Sequence, residues 1–352
     1  MRFGIWSFEL ELAPFRARRP DDYNRRVTDR KIAHYNLLEP IGREAIGEVY
    51  RARDTKVGRT VALKILDAEL VADDTRRLAL FDEARLAARL SHPNIAALFE
   101  VSEVDGVSYF AYEFAAGTQL RAEMAGRPMN PIRAVELCIQ MADGLADGHA
   151  AGILHGDLRP ETIGVTAKGS AKLLDFGMWR WTRGGLVRRA AASASDSLPP
   201  EDSTIVSYMA PEQALGGDTD GRADLFSLGT ILYEMLTGRN PFIAASVRDT
   251  VMNVIRLTPS APSITQRDLP EALDAITARA LAKPVDARFQ SAAAFSAALR
   301  SVAASLEVRT AEPSGDFLLP VDDEADRTPP AVWLAGLAGV AAVAALLWWL
   351  AR

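Results

Sequence analysis

The order of a few short motifs constrains this chain more than any bulk property of its 352 residues. A strand, a glycine turn and a second strand come first, in IGREAIGEVYRARD. The strand VALK follows with Lys64, and the next helix carries Glu83. Far downstream lie Asp157 in HGD and Asp175 in LLDFG, then APE at 210–212 and DLFSLG at 224–229. Each motif alone is weak: a lysine on a strand usually faces solvent, and Asp-Phe-Gly arises by chance. Their order and spacing together are highly specific.

Periodicity sorts the chain around these motifs. YNLLEPIG, GEVYRARD, TVALKIL and SYFAYEFA alternate or run apolar, as strands do. In DDTRRLALFDEARLAARL apolar residues recur at three and four, which predicts a helix that Asp73 or Asp74 can cap. Beyond about residue 117 helices dominate, expected at 131–150, 222–237, 249–257, 270–282 and 291–305. The pattern is α+β, with a strand-rich part at 35–116 and a helical part at 117–305. Residues 306–330 are acidic, contain prolines and end in DDEADRTPP, a linker composition. No internal repeat is present.

The two termini differ. Residues 1–34 form an N-terminal arm, arginine-rich without a sustained period; we read 1–26 as disordered or as a misassigned start, with Val27 as the alternative initiator. The opening MRFGIWSFELELAPFRARRP lacks the basic start and apolar run of a signal peptide. At the other end, AVWLAGLAGVAAVAALLWWL (331–350) has no charge and no polar side chain apart from its indoles. At 1.5 Å per residue it spans about 30 Å, the thickness of a bilayer core. Trp333, Trp348 and Trp349 stand near its ends, where indoles favour the interface. A single C-terminal transmembrane helix is expected. Ala331, Ala335 and Gly339 recur every four residues, which lets two helices pack closely; a homodimer through this face and a plain anchor are both open.

Other classes are disfavoured. A net charge of −6 gives no reason to expect nucleic acid. The one cysteine, Cys138, cannot form an intramolecular disulfide and reads as a small buried hydrophobe. Four histidines are scattered without zinc-ligand spacing.

On these motifs, residues from about 35 to 300 resemble the bacterial eukaryotic-like Ser/Thr protein kinases. The resemblance implies a two-lobed kinase fold, with small lobe 35–116 and large lobe 117–305. It also implies ATP and Mg²⁺ as cofactors and a protein substrate that the sequence does not name. Lys64 would hold the α/β-phosphates and pair with Glu83. Asp175 would bind Mg²⁺, and Asp157 would accept the substrate hydroxyl's proton. Gly42 and Gly47 would belong to the phosphate-covering loop, Val49 and Ala62 would cover the adenine, Glu113 to Ala115 would form the hinge, and Tyr112 would be the gatekeeper. His155 would pack on Phe176, Glu212 would pair with Arg288, and Asp224 would accept backbone N–H groups of the catalytic loop. Such a site neutralises and positions a highly charged transition state. ATP chemistry places the kinase domain in the cytoplasm, tethered to the plasma or inner membrane by a single pass. With two residues after the membrane helix, no outer sensor domain is expected.

The pattern also breaks. Glu44 replaces the middle glycine of the phosphate-covering loop, where a carboxylate would repel ATP unless it points outward. Gly156 replaces the arginine that pairs with a phosphorylated activation loop. Arg159 stands for the catalytic-loop lysine, and Thr162 for the asparagine that binds a second Mg²⁺. Gly164 replaces the large aliphatic floor of the adenine pocket, and Ile205 replaces a bridging threonine. Three readings stay open: an active kinase with reduced turnover, a membrane-anchored pseudokinase acting as an interaction module, and a kinase-fold enzyme for small molecules. The region around GGDTDGRADLFSLG favours the protein kinases over the last of these.

Overall fold

The structure, a computed structural model, describes residues 31–44, 46–182 and 201–311. The chain divides into two compact units, Met1–Glu307 and Val308–Arg352. Apart from one helix end, the second unit lies outside the described residues, and the expected membrane segment 331–350 lies there with it. Among the described residues no helix is long and apolar enough to cross a membrane. Residues 1–30 of the expected arm also fall outside the described residues.

Strands β1 (Lys31–Ile32), β2 (Tyr35–Glu44), β3 (Gly47–Asp54), β4 (Arg59–Leu66), β5 (Leu98–Val104) and β6 (Val107–Glu113) form one antiparallel sheet. Their order is β1-β2-β3-β4-β6-β5. β1 places the start of the sheet before residue 35, the expected boundary. β5 was not among the expected strands: it is an edge strand, and LFEVSEV buries too little of itself to alternate cleanly. Period-two alternation sends Val61 and Leu63 of β4 and Tyr109 and Ala111 of β6 to one face, with Tyr35, Leu37, Tyr50 and Ala52. Leu66, Phe110 and Tyr112 take the other face, under Leu80, Phe81 and Ala84. Lys64 has the parity of this second face and is 2 % exposed. The covering helix follows the short α1 (Ala68–Val71); it is α2 (Asp74–Ala87), capped by Asp73, whose side chain accepts the Arg76 N–H at 2.8 Å.

The helical part begins with a small sheet, β7 (Gly117–Gln119), β8 (Ile163–Thr166) and β9 (Ala171–Leu173), in that order. Its helices are α3 (Leu120–Met124), α4 (Pro131–Ala150), α5 (Trp179–Thr182), α6 (Glu201–Val206), α7 (Pro211–Ala214), α8 (Gly221–Thr237), α9 (Val247–Arg256), α10 (Pro262–Thr265), α11 (Glu271–Ala280) and α12 (Ala292–Ala311). The five expected long helices are present, 131–150 at its expected bounds and the other four with shifted ends. The last runs through Ala311, into what the composition marks as linker. Every residue of α8 from Ala223 to Thr237 is buried, so this helix is the axis of the lobe. It packs with α4 and α11 into one core that includes Leu137, Met141, Leu228, Ile231 and Leu273.

One ion pair locks the outer helices to this axis. Arg288, fully buried, donates two hydrogen bonds of 2.8 Å to the Glu212 carboxylate, as the resemblance implied. Its Nε donates to the Ala282 carbonyl at 2.8 Å, and its guanidinium lies 5.0 Å from the Phe226 ring centroid. Removing one partner strands a buried charge, which costs several kcal/mol. Arg288→Ala is therefore expected to lower the unfolding free energy by about 3–5 kcal/mol, read from urea denaturation.

Candidate active site

The catalytic-loop segment between α4 and β8 is held from beneath. Asp224, buried at the start of α8, accepts the His155 N–H at 2.9 Å and the Gly156 N–H at 2.7 Å. His149 Nε2 lies 2.8 Å from the same carboxylate. Burial alone would raise the Asp224 pKa, but the hydrogen bonds and charge of His149 hold it below the ordinary carboxylate value. Gln213 donates to the Gly156 carbonyl at 2.9 Å, pinning the same peptide from α7. His155 packs edge-on against Phe176, with ring centroids 5.3 Å apart. Phe176 in turn fills space that only a glycine at 148 allows, since a Cβ there would come within 2.2 Å of the ring.

Asp157 emerges from this scaffold. Arg159 Nε lies 3.3 Å from its carboxylate, and Arg159 Nη1 donates to Glu161 at 3.0 Å. Glu161 accepts from Arg121 of α3 at 2.7 Å, and Arg121 also reaches Glu234 at 2.7 Å and Tyr208 at 2.5 Å. This chain of alternating charge fixes Arg159 beside Asp157. It escapes a linear reading because Arg121 and Glu234 carry no motif.

Thr162 is bonded within its own loop. Its hydroxyl lies 2.9 Å from the Asp157 carbonyl and 3.0 Å from the Arg159 carbonyl, and it accepts the Arg159 N–H at 3.2 Å. The side chain expected at a second Mg²⁺ is instead a brace inside the loop. Asp175 stands at φ 55°, a left-handed conformation uncommon for a non-glycine residue, and so turns toward the cleft. It pairs with Lys64. Burial alone would raise the Asp175 pKa, but the ammonium lowers it below the usual range. Mg²⁺ characteristically takes one or two carboxylates plus phosphate oxygens, so Asp175 suits it as the protein ligand. Among the described residues no group of three or more His, Cys, Asp or Glu side chains is placed to hold a metal.

The expected Lys64–Glu83 pair is absent from this structure. Glu83 instead accepts the Trp181 indole N–H at 2.6 Å and an Arg180 N–H at 3.2 Å. Both partners belong to α5, which directly follows the Asp-Phe-Gly turn. The second carboxylate on Lys64 comes from Glu44. Burial, then the neighbouring Asp175, hold the Glu44 carboxyl up at about 7. Gly156 has its own replacement partner. It sits at φ 73°, and a Cβ there would come within 2.3 Å of the Trp179 ring. The indole thus lies where the family's arginine would start.

The nucleotide side is built on the sheet. Val49 pairs with Lys64 and with Gly42 across β3, and Ala62 pairs with Tyr112. A Cβ on Gly47 would approach the Ile65 carbonyl oxygen to 1.9 Å, so that glycine is required by packing. Gly42 has open space around it. Glu113 ends β6, with its carboxylate 2.7 Å from the Lys172 ammonium. Ala115 lies opposite Gly164, where an added Cβ would stand 3.4 Å from the Ala115 Cβ.

With this geometry in view, the comparisons with known proteins are direct. Residues 35–298 match the family described as protein kinase domain. The chain belongs to the protein kinase family. It is 37 % identical over 265 residues to the "Probable serine/threonine-protein kinase SCO3848" of Streptomyces coelicolor, covering 73 % of this chain and 38 % of that protein. It is 35 % identical over 266 residues to serine/threonine-protein kinase PknB of Mycobacterium tuberculosis, covering 74 % and 41 %. The chain thus spans about two-fifths of the length of these curated relatives. The solved PknI kinase domain of Mycobacterium tuberculosis is similar at a TM-score of 0.59 and 28 % identity, covering 78 % of this chain and 98 % of that one. The kinase domain therefore falls among the bacterial Ser/Thr kinases.

The contact between Gly156 and Trp179 is open to a double-mutant cycle. Gly156→Arg introduces a side chain at positive φ and into the indole, and should cost about 2 kcal/mol of stability. In a Trp179→Ala background that cost should fall by about 1 kcal/mol, measured by urea denaturation of the four proteins.

Proposed function

We propose that this chain transfers the γ-phosphoryl group of ATP to serine or threonine hydroxyls of protein substrates, at reduced turnover, while tethered to a membrane. The observation that carries the reading is the placement of Asp157 and Asp175 on one braced scaffold, with the buried Lys64 ammonium on Asp175. In this reading Lys64 holds phosphate oxygens, Asp175 holds the metal, and Asp157 orients the acceptor hydroxyl and takes its proton. Arg159, fixed by Asp157 and Glu161, adds positive charge where negative charge grows. ATP supplies the phosphoryl group, and Mg²⁺ supplies charge neutralisation along its phosphates. Reduced turnover is supported by Glu83 lying on α5 residues rather than on Lys64 and by Thr162 being consumed inside its loop. The same Glu83 contact supports a second reading, a pseudokinase that binds partners without transfer.

Autophosphorylation of the chain with labelled ATP and Mg²⁺ separates the two readings. Label on Ser or Thr is expected, reduced at least about a hundredfold in Lys64→Ala and in Asp157→Asn. Equal label in all three proteins, or none in any, rejects the enzyme.

The membrane part rests on the apolar run 331–350 and its interfacial tryptophans. The kinase domain is assigned to the cytoplasm, where ATP is. Full-length chain should pellet with membranes, and chain ending at residue 330 should not. If the helix also pairs two copies, Ala335→Ile and Gly339→Ile should abolish self-association of residues 325–352 in membranes.

A further inference from the structure

Glu44 lies in the phosphate-covering loop yet contacts the lysine that the kinase reading reserves for phosphate. We propose that Glu44 is an internal competitor for Lys64: its carboxylate occupies the place of a nucleotide phosphate oxygen and must leave before ATP can bind. The inference rests on the kinase reading above and adds to it what holds the site closed.

Contacts independent of one another support it. Lys64 is 2 % exposed, with two carboxylates on its ammonium, those of Asp175 and Glu44. An ammonium has three donors, so little bonding capacity remains for a phosphate. The loop is held down at its tip as well. Ile46 is fully buried in the cluster that includes Leu66, Leu80, Phe81 and Met178, and its carbonyl accepts the Asp67 N–H at 3.0 Å. On the other side of the tip, Arg43 bonds the Asp67 carboxylate at 2.9 and 3.0 Å and Glu48 at 3.2 Å. The Lys64 partner expected from α2 is unavailable, because Glu83 is engaged by Trp181 and Arg180. Finally, the Glu44 side chain is 41 % exposed, although its carboxylate contacts the buried Lys64 ammonium.

Electrostatics makes the two occupants exclusive. Lys64 can neutralise only one of its two carboxylates, and a triphosphate brought to the same ammonium meets repulsion from Glu44 at short range wherever that carboxyl is ionised. Exchange of the carboxylate for a phosphate oxygen keeps the lysine neutralised at every stage. The apparent affinity for ATP is then the intrinsic affinity reduced by the fraction of molecules with Glu44 withdrawn. Adenosine, which has no phosphate, does not compete for Lys64 and is blind to this equilibrium.

The test is calorimetric titration of the full chain in detergent with Mg·ATP and, separately, with adenosine. Wild type is set beside Glu44→Gln, which removes the charge and keeps the bulk, and Glu44→Gly. Both variants are expected to bind Mg·ATP about tenfold more tightly than wild type and to bind adenosine within about twofold of it. Equal Mg·ATP affinity in all three proteins overturns the inference and leaves the kinase reading standing. An equal gain for adenosine also overturns it, because the effect would then belong to loop shape and not to Lys64. Failure of all three to bind Mg·ATP rejects the nucleotide-binding reading, and the inference with it.

Discussion

A buried ammonium dictates the arrangement of this site. Lys64 sits in β4 with the parity of the face under α2, beneath Phe110 and Tyr112, and its charge cannot remain there without a carboxylate. Burial works against its protonation, yet Asp175 and Glu44 raise its pKa above the ordinary lysine value. The chain contains a third candidate partner, Glu83 on α2, and the structure gives it to Trp181 and Arg180 instead. Which carboxylate satisfies Lys64 thus depends on where the loop between β2 and β3 lies and on how α5 meets α2. The nucleotide end of the site is set by that choice.

The large lobe is organised on different terms. Asp224, Glu212 and Arg288 are tied by short hydrogen bonds to backbone or to each other, around a helix buried on all sides. These contacts make no exchange with a ligand. They fix the peptides of His155 and Gly156, and through them the backbone that carries Asp157. One half of the site is therefore rigidly scaffolded, while the other is held by contacts that a phosphate can replace.

This division also explains what could be read from sequence. Strand and helix periods located β2, β3, β4, β6 and the five long helices, although α8 is buried all round rather than on one face. The Asp224, Arg288 and His155 contacts were implied by the family resemblance and are present in the rigid half. The partner of Glu83 did not follow: sequence spacing places Glu83 on α2 but does not state what α5 brings to it. The two tryptophans in MWRW were the available signal, being large side chains beside the Asp-Phe-Gly turn. Glu44 raised the right question without its answer, because a carboxylate at a loop tip can face either way. The hydrogen bonds of Thr162 within its loop did not follow either, because a hydroxyl can brace its own loop as easily as it can hold a metal.

The departures from the family pattern are not all of one kind. Gly156 is matched by the Trp179 ring, which leaves no room for a Cβ, and the positive φ there suits glycine. Glu44 is matched by Lys64, and Thr162 by the carbonyls of Asp157 and Arg159. In each case the replaced residue has a specific partner in the same local structure, which random loss would not supply. Gly164 is different: an added Cβ there would meet the Ala115, Leu174 and Lys172 side chains at 3.4, 3.8 and 3.9 Å, ordinary contacts rather than one specific partner. The matched changes bear on the phosphates and the activation segment, and the unmatched one on the adenine. The contacts of Glu44 with Lys64, of Gly156 with Trp179 and of Thr162 with its own loop make this arrangement a well-bonded one.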